Sequence, residues 1–184
     1  MLGRYQNFPT NIEGFARYTY PDSAQTLQLA IAKTLYTLNN QTIDISTITE
    51  AGPTNCTVNF ELGVAHEETF NFLDTEELQN VEKTLKQQAL PVLDVYFVAR
   101  YYVSQPDGKR RSLKFDYGML RFAFSKVNIE LFVYHERGTQ RIPLDSLASF
   151  LKDRINLQLS AQKKKTLTLK SVIKSQTMFD RQPR

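Results

Sequence analysis

Residues 93–104 read Leu-Asp-Val-Tyr-Phe-Val-Ala-Arg-Tyr-Tyr-Val-Ser. Over the central part of this run, both the odd and the even positions carry apolar or aromatic residues. A strand with one face in solvent alternates apolar and polar residues instead. The run therefore predicts an interior strand covered on both sides, or at least a central strand of a sheet.

The segments before this strand alternate between strand and helix patterns. Three of them carry alternating or β-branched residues and are predicted strands: 13–20, 42–49 and 56–65. Apolar residues at helical spacing predict one helix that Asp22 or Ser23 caps and a second helix over 74–90. The resulting order is β-α-β-β-α-β, the ferredoxin-like order.

The segments after this strand predict a β-meander and a third helix. Gln105-Pro106-Asp107-Gly108 is a turn signal, and the alternation slips at Gly118, which predicts a bulge or sharp bend. Further strands are predicted over 129–135 and, as a short edge strand, over 140–142. A helix with a leucine-rich face starts near Pro143 or Leu144.

The predicted fold class is therefore α+β, with an antiparallel sheet of about six to seven strands and three helices. The ferredoxin-like half precedes the β-meander and the C-terminal helix. The meander could extend the first sheet or form a second layer, and the short connection between 104 and 109 favours one continuous sheet. The 184 residues predict a single domain over 1–160 and a basic C-terminal extension over 161–184.

Composition and termini indicate a cytoplasmic protein. The single cysteine, Cys56, excludes an intramolecular disulfide and a multi-cysteine zinc site, and it suits a reducing compartment. No run approaches the roughly 20 apolar residues of a membrane-spanning helix. The first residues carry no apolar secretory core, so we expect a soluble intracellular protein without a membrane partner.

Charge is unevenly distributed along the chain. The tail 163–184 holds seven basic residues and one acidic residue, whereas 44–94 holds ten acidic residues and two lysines. Residues 95–126 hold seven basic and two acidic residues. Such asymmetry indicates either an anionic partner or charged surfaces that neutralise one another in the fold.

Motifs typical of enzymes are missing. No phosphate-binding glycine loop, nucleophile elbow or metalloprotease motif occurs, and no catalytic residue, metal ligand or cofactor is predicted. Cys56 has no histidine nearby in sequence and is expected to be a buried, inert thiol. These observations leave enzymatic activity open and favour a protein without one.

The favoured hypothesis is a non-enzymatic binding or assembly module that recognises an acidic protein surface or a nucleic acid. One predicted site is a basic and aromatic sheet region that could contact phosphates and stack bases, formed with Tyr101, Tyr102, Tyr117 and Phe122. Its predicted anion-binding residues are Arg100, Lys109, Arg110, Arg111, Lys114, Arg121 and Lys126.

The second predicted site is the basic tail. Its predicted partner-binding residues are Lys163, Lys164, Lys165, Leu167, Leu169, Lys170 and Ile173. Because Leu167 and Leu169 alternate with threonines, the tail could add to a sheet edge as a strand. It could bind a partner, exchange between two copies of the chain, or fold back on its own sheet.

The alternative hypothesis is a small-ligand-binding protein or an enzyme. Its pocket would lie between the helices and a sheet that bends at Gly118. The polar candidates for that pocket are His66, Glu68, His135 and Arg137. Convergence of the two histidines in one cleft would favour this hypothesis.

Overall fold

The computed structural model describes residues 2–174, and it contains three α-helices and ten strands. The helices are α1 (Ala24–Leu38), α2 (Thr75–Gln87) and α3 (Leu144–Ala161). The first five strands are β1 (Gly3–Arg4), β2 (Gly14–Thr19), β3 (Thr42–Asp44), β4 (Cys56–His66) and β5 (Thr69–Phe72). The others are β6 (Val92–Ser104), β7 (Arg110–Ser112), β8 (Asp116–Phe124), β9 (Asn128–Arg137) and β10 (Thr168–Lys174).

All strands belong to one antiparallel sheet. Eight of them follow the order β1-β5-β4-β6-β8-β9-β2-β10, while β3 pairs with β4 and β7 pairs with β6. The long strand β6 lies between β4 and β8, as the apolar run over 93–104 predicts. The meander extends the first sheet, which agrees with the favoured sequence interpretation.

The α+β class, the antiparallel sheet and the three helices are confirmed, but the predicted number of strands is wrong. The described sheet has ten strands. The prediction was too low because β1, β5, β7 and β10 are short or terminal segments with weak sequence patterns. The ferredoxin-like arrangement is not confirmed. The first long strand, β2, pairs with β9 and β10, so the order of elements along the chain does not determine which strands become neighbours.

Local hydrogen bonds explain two further differences from the sequence predictions. The predicted strand 42–49 ends at Asp44, whose side chain accepts from the Ser46 amide and turns the chain into a short 3₁₀ segment. The predicted helix 74–90 ends at Gln87. Leu90 instead exchanges two hydrogen bonds with the side-chain amide of Gln28 on α1, at 2.7 and 3.0 Å.

The three helices pack on one face of the sheet and bury the main hydrophobic core. α1 lies between α2 and α3, with Leu27, Ile31 and Leu35 at most 2% exposed. Alternate residues of β4, β6, β8 and β9 point into the same core. None of the helices in the described part of the chain is long and apolar enough to cross a membrane.

The N-terminal segment covers part of the opposite face, which we call the outer face. Tyr5 donates a hydrogen bond to Asp94, and the Arg121 guanidinium lies over the Phe8 ring at 4.7 Å from its centroid. Asp94 and Phe8 are both buried. This cover explains why β6 is apolar on both sides although no second layer of helices lies over it.

The start of α3 is held by a buried carboxylate. Asp116 accepts hydrogen bonds from the Tyr101 hydroxyl at 2.7 Å and from the backbone amides of Thr139, Gln140 and Arg141 at 2.5–2.9 Å. Gly138 lies against this carboxylate with φ +126°, where a Cβ atom would collide. The backbone amides of 139–141 donate to Asp116 and not to a neighbouring strand, so the predicted edge strand over 140–142 does not form.

The end of α3 is held to β10 by one side-chain amide. Asn156 donates to the Leu167 carbonyl at 3.1 Å and accepts from the Leu167 amide at 2.7 Å. Leu167 is buried, and β10 follows it antiparallel to β2. Of the three interpretations of the tail, the structure shows Thr168–Lys174 folded back on its own sheet, whereas the rest of the predicted 161–184 extension, 175–184, lies outside the described residues.

We expect Asp116→Asn to lower the free energy of unfolding by about 2–4 kcal/mol at pH 7, because three backbone amides and Tyr101 lose a charged acceptor. Burial raises the pKa of Asp116, but the bonds from Tyr101 and from the three backbone amides outweigh it and hold that pKa below its usual value. Urea unfolding followed by circular dichroism measures the difference.

The effect should depend on pH in a defined direction. A lowered carboxyl pKa stabilises the folded chain above the unfolded value of about 3.9, and this contribution is lost as the pH falls through the folded pKa. The wild type should therefore lose its advantage over Asp116→Asn below about pH 4. Equal differences at pH 7 and pH 2.5 would contradict this account, and the exposed Asp107→Asn should cost less than about 1 kcal/mol.

We expect Asn156→Ala to loosen β10 selectively, because the two bonds to Leu167 are lost. Hydrogen exchange of the β10 amides should accelerate about tenfold, while exchange in β8 and β9 stays unchanged. The matched control is Gln158→Ala, whose side chain makes no hydrogen bond to a described residue. Unchanged protection of β10 in Asn156→Ala would refute the role assigned to Asn156.

Candidate functional site

The predicted cations of the outer face are already paired with carboxylates. Arg100 binds Glu61 through two hydrogen bonds of 2.7 and 2.9 Å, and Arg121 binds Asp94 through two of 2.7 Å. Arg17, which sequence reasoning missed, pairs with Glu130 across β2 and β9. Each pair joins neighbouring strands, so these arginines neutralise the sheet instead of presenting free charge to a phosphate.

The aromatic residues of the predicted basic region separate onto two faces. Tyr101 and Phe122 point into the core and are each 1% exposed. Tyr102 and Tyr117 lie on the other side, where the guanidinium groups of Arg110 and Arg137 already cover their rings at 4.7 and 4.0 Å. Stacking of a nucleic-acid base on these two rings would require displacement of the arginines.

The remaining predicted anion-binding residues do not form one patch. Lys109, Arg110, Arg111 and Lys114 lie on or just after the exposed β6–β7 hairpin. Lys109 is 3.7 Å from Asp107, and Arg110 donates to Thr57 at 3.1 Å. Lys126 lies on the β8–β9 turn, at the opposite end of the sheet. The hairpin residues follow the end of β6, where Ser104 pairs with Arg110. Lys126 instead lies near the start of β6, where Val92 pairs with Ala123.

The structure does not bring the two histidines together. His135 lies 3.5 Å from Asp116 and lines a small cavity at the start of α3. His66 lines a larger cavity beside α2, and β6 and β8 separate the two strands that carry the histidines. Glu68 is exposed in the β4–β5 turn, and Arg137 stacks on Tyr117, so neither joins a histidine at one site.

Cys56 has the environment expected from the sequence, since it is 1% exposed. Burial raises the pKa of its thiol, and the nearby Arg141 guanidinium opposes that change without reversing it. A protonated, buried thiol is a poor nucleophile. Among the described residues, no cluster of histidine, cysteine, aspartate or glutamate could hold a metal ion.

The tail residues form an exposed edge of the sheet. β10 is the last strand of the main path and is paired on one side by β2, from Thr168–Thr19 to Lys174–Gly14. Lys163, Lys164, Lys165 and Lys170 are exposed, and none makes an ion pair with a described residue. Ile173 pairs with Phe15 through its backbone, and its side chain lies outside the description.

Two apolar side chains of β10 remain accessible beside α3. Leu169 is 49% exposed and Val172 is 46% exposed. Their partners on β2, Tyr18 and Ala16, point into the core, so both side chains project toward the helix-covered side. Val172 borders a shallow depression whose lining includes Gly14, Leu144 and Ala148 and also two acidic residues, Glu13 and Asp145.

The β10 edge therefore combines three properties along one strand: an unpaired backbone among the described residues, apolar side chains and uncompensated positive charge. Asn156, which positions this strand, was missed because an asparagine on a helix carries no distinguishing sequence signal. Comparisons of the chain with protein-family models, with curated proteins and with solved structures find no match.

We expect Arg121→Ala to destabilise the protein by about 3–5 kcal/mol, because it leaves the buried Asp94 carboxylate without its counter-ion. Arg17→Ala removes a more exposed pair and should cost less than about 1 kcal/mol. Urea unfolding of both variants measures the contrast. Equal small losses would show that Arg121 is not a structural ion-pair partner and would return it to the list of candidate anion-binding residues.

Proposed function

We propose that this protein is a non-enzymatic binding module that takes an acidic, extended segment of a partner protein along the outer edge of β10. The observation that carries the proposal is the outer edge of β10, which no strand of the described residues pairs and which exposed lysines flank. A peptide that adds as a strand gains backbone hydrogen bonds from the edge and specificity from its side chains. This mode needs no catalytic residue and no cofactor.

Charge selects the partner. Lys163, Lys164, Lys165 and Lys170 lie just before or within β10, and residues 161–174 contain no acidic residue. Carboxylates at alternate positions of an added strand would meet these ammonium groups, whereas a basic strand would be repelled. The exposed side chains of Leu169 and Val172 offer apolar contacts on the side that faces α3.

The same lysines disfavour pairing between two copies of the chain. Edge lysines are a common device against edge-to-edge association, because two such edges bring like charges together. Nucleic acid is less well supported than a peptide, since the outer-face arginines are neutralised by Glu61, Asp94 and Glu130. Self-association and RNA binding are therefore outcomes that the test must separate from peptide binding.

The test is fluorescence anisotropy of the full chain with a labelled ten-residue peptide that alternates glutamate and valine. We expect saturable binding that weakens as salt rises, and new exchange protection in the β10 amides. A matched peptide with methyl groups on alternate backbone nitrogens should bind at least tenfold more weakly, because it cannot complete the strand ladder. A peptide with lysine in place of glutamate should not bind.

Two variants, each with a matched control, localise the binding. Lys170→Glu should weaken peptide binding about fivefold to tenfold, whereas Lys114→Glu, just after the distant hairpin, should leave it unchanged. Leu169→Glu should weaken binding, and Leu157→Glu, at a leucine of α3 that is even more exposed, should not. Equal binding of the methylated peptide, preference for single-stranded RNA, or dimerisation that the peptide does not disrupt would each overturn the proposal.

A further inference from the structure

One cavity in the described part of the chain lies where two neighbouring strands separate. β4 and β6 pair from Cys56–Val103 as far as Val64–Val95. Beyond that point β4 continues to His66 and β6 already begins at Val92, but the two segments no longer pair. A gap therefore opens inside an otherwise continuous sheet.

Both strands stay ordered at the gap because each pairs with its other neighbour. Ala65 and His66 pair with Phe70 and Thr69 of β5. On the other side, Val92 and Leu93 pair with Ala123 and Phe122 of β8. Hydrogen bonds to β5 on one side and to β8 on the other therefore hold the two strands that border the opening.

Residues of α2 and Tyr5 of the N-terminal segment border this opening, which forms a partly open cavity of about 270 Å³. Its walls include apolar side chains of β4, α2 and β6, with Glu77, Asn80 and Thr84 of α2 at the rim. Two hydrogen-bonded contacts fix its sides, since Gln28 holds the backbone of Leu90 and Asp94 holds the Tyr5 hydroxyl. Such preorganisation lowers the cost of ordering the site when a ligand binds.

The charge of the lining is negative. Three carboxylates, Glu67, Glu77 and Asp94, line the cavity, and no lysine or arginine does. Asp94 is neutralised by Arg121, whereas Glu77 has only a long hydrogen bond of 3.3 Å from Asn71, and Glu67 makes no ion pair with a described residue. Two carboxylates thus remain to receive a positive charge above an apolar floor.

We propose that this cavity binds a small organic cation, an alkylammonium or alkylguanidinium compound. The alkyl stem lies against the apolar floor formed by Val64, Val81 and Leu93, and the cationic group lies between Glu67 and Glu77 at the rim. The volume corresponds to about nine water molecules in the liquid, which suits a ligand with a chain of about four or five carbons. This site is separate from the β10 edge and does not rest on the function proposed for it.

The experiment is isothermal titration calorimetry of the full chain with pentylammonium and with pentylguanidinium, at low salt. Pentan-1-ol and pentanoate serve as the neutral and anionic controls. We expect the cations to bind at least tenfold more tightly than the neutral compound, and pentanoate not to bind. Equal affinity for the cation and the alcohol would overturn the proposal, as would binding of pentanoate.

Variants of α2 supply the matched controls. Glu77→Gln should weaken cation binding at least fivefold, whereas Glu76→Gln, one residue earlier and outside the lining, should not. Thr84→Phe, at an exposed position that borders the cavity, should block binding while circular dichroism shows a folded chain. Equal effects of the two glutamine variants, or full affinity in folded Thr84→Phe, would show that the cations bind elsewhere on the acidic surface.

Discussion

The buried carboxylate of Asp116 determines how the second half of the chain is arranged. Its bonds to the backbone of Thr139, Gln140 and Arg141 fix the loop between β9 and α3, and therefore the residue at which α3 begins. Because the start of α3 is fixed, the position of its C-terminal half is fixed as well. There, the Asn156 side chain hydrogen-bonds to both the backbone amide and the carbonyl of Leu167. β10 follows Leu167 and lies beside β2 as the last strand of the main path.

The outer face of the sheet explains why both proposed sites lie at margins of the strand ladder. Three cross-strand ion pairs neutralise this face, and the N-terminal segment covers part of it. Unpaired charge remains at the exposed β6–β7 hairpin and where strand pairing stops, with lysines along β10 and carboxylates around the gap between β4 and β6. β8, β9 and β2 lie between the two sites, so the uneven charge along the sequence becomes a separation in space.

Regular local patterns made much of this architecture predictable. Apolar spacing located the three helices, the two-sided run over 93–104 located the central strand, and Gly118 marked the register shift between β8 and β9. A Cβ atom at Gly118 would collide with the Phe97 ring at 2.6 Å, so the glycine is required by a close approach. The neighbours of β2 were not predictable, because strand pairing depends on contacts between residues more than 100 positions apart. The roles of Gln28 and Asn156 were also not predictable. Their side-chain amides hydrogen-bond to the backbone of Leu90 and Leu167, and only the folded structure brings these groups together.

The charge pattern shows most clearly what sequence alone leaves undetermined. Arg121 and Lys170 are both basic residues in strands, yet one faces a buried aspartate across a strand pair and the other faces solvent at an edge. The first cation is paired with Asp94, whereas the second makes no ion pair with a described residue. Like charges on two such edges would repel each other, whereas a strand of opposite charge would be attracted. In the function that we propose, the lysines that oppose pairing between two copies of this edge also favour an acidic partner strand.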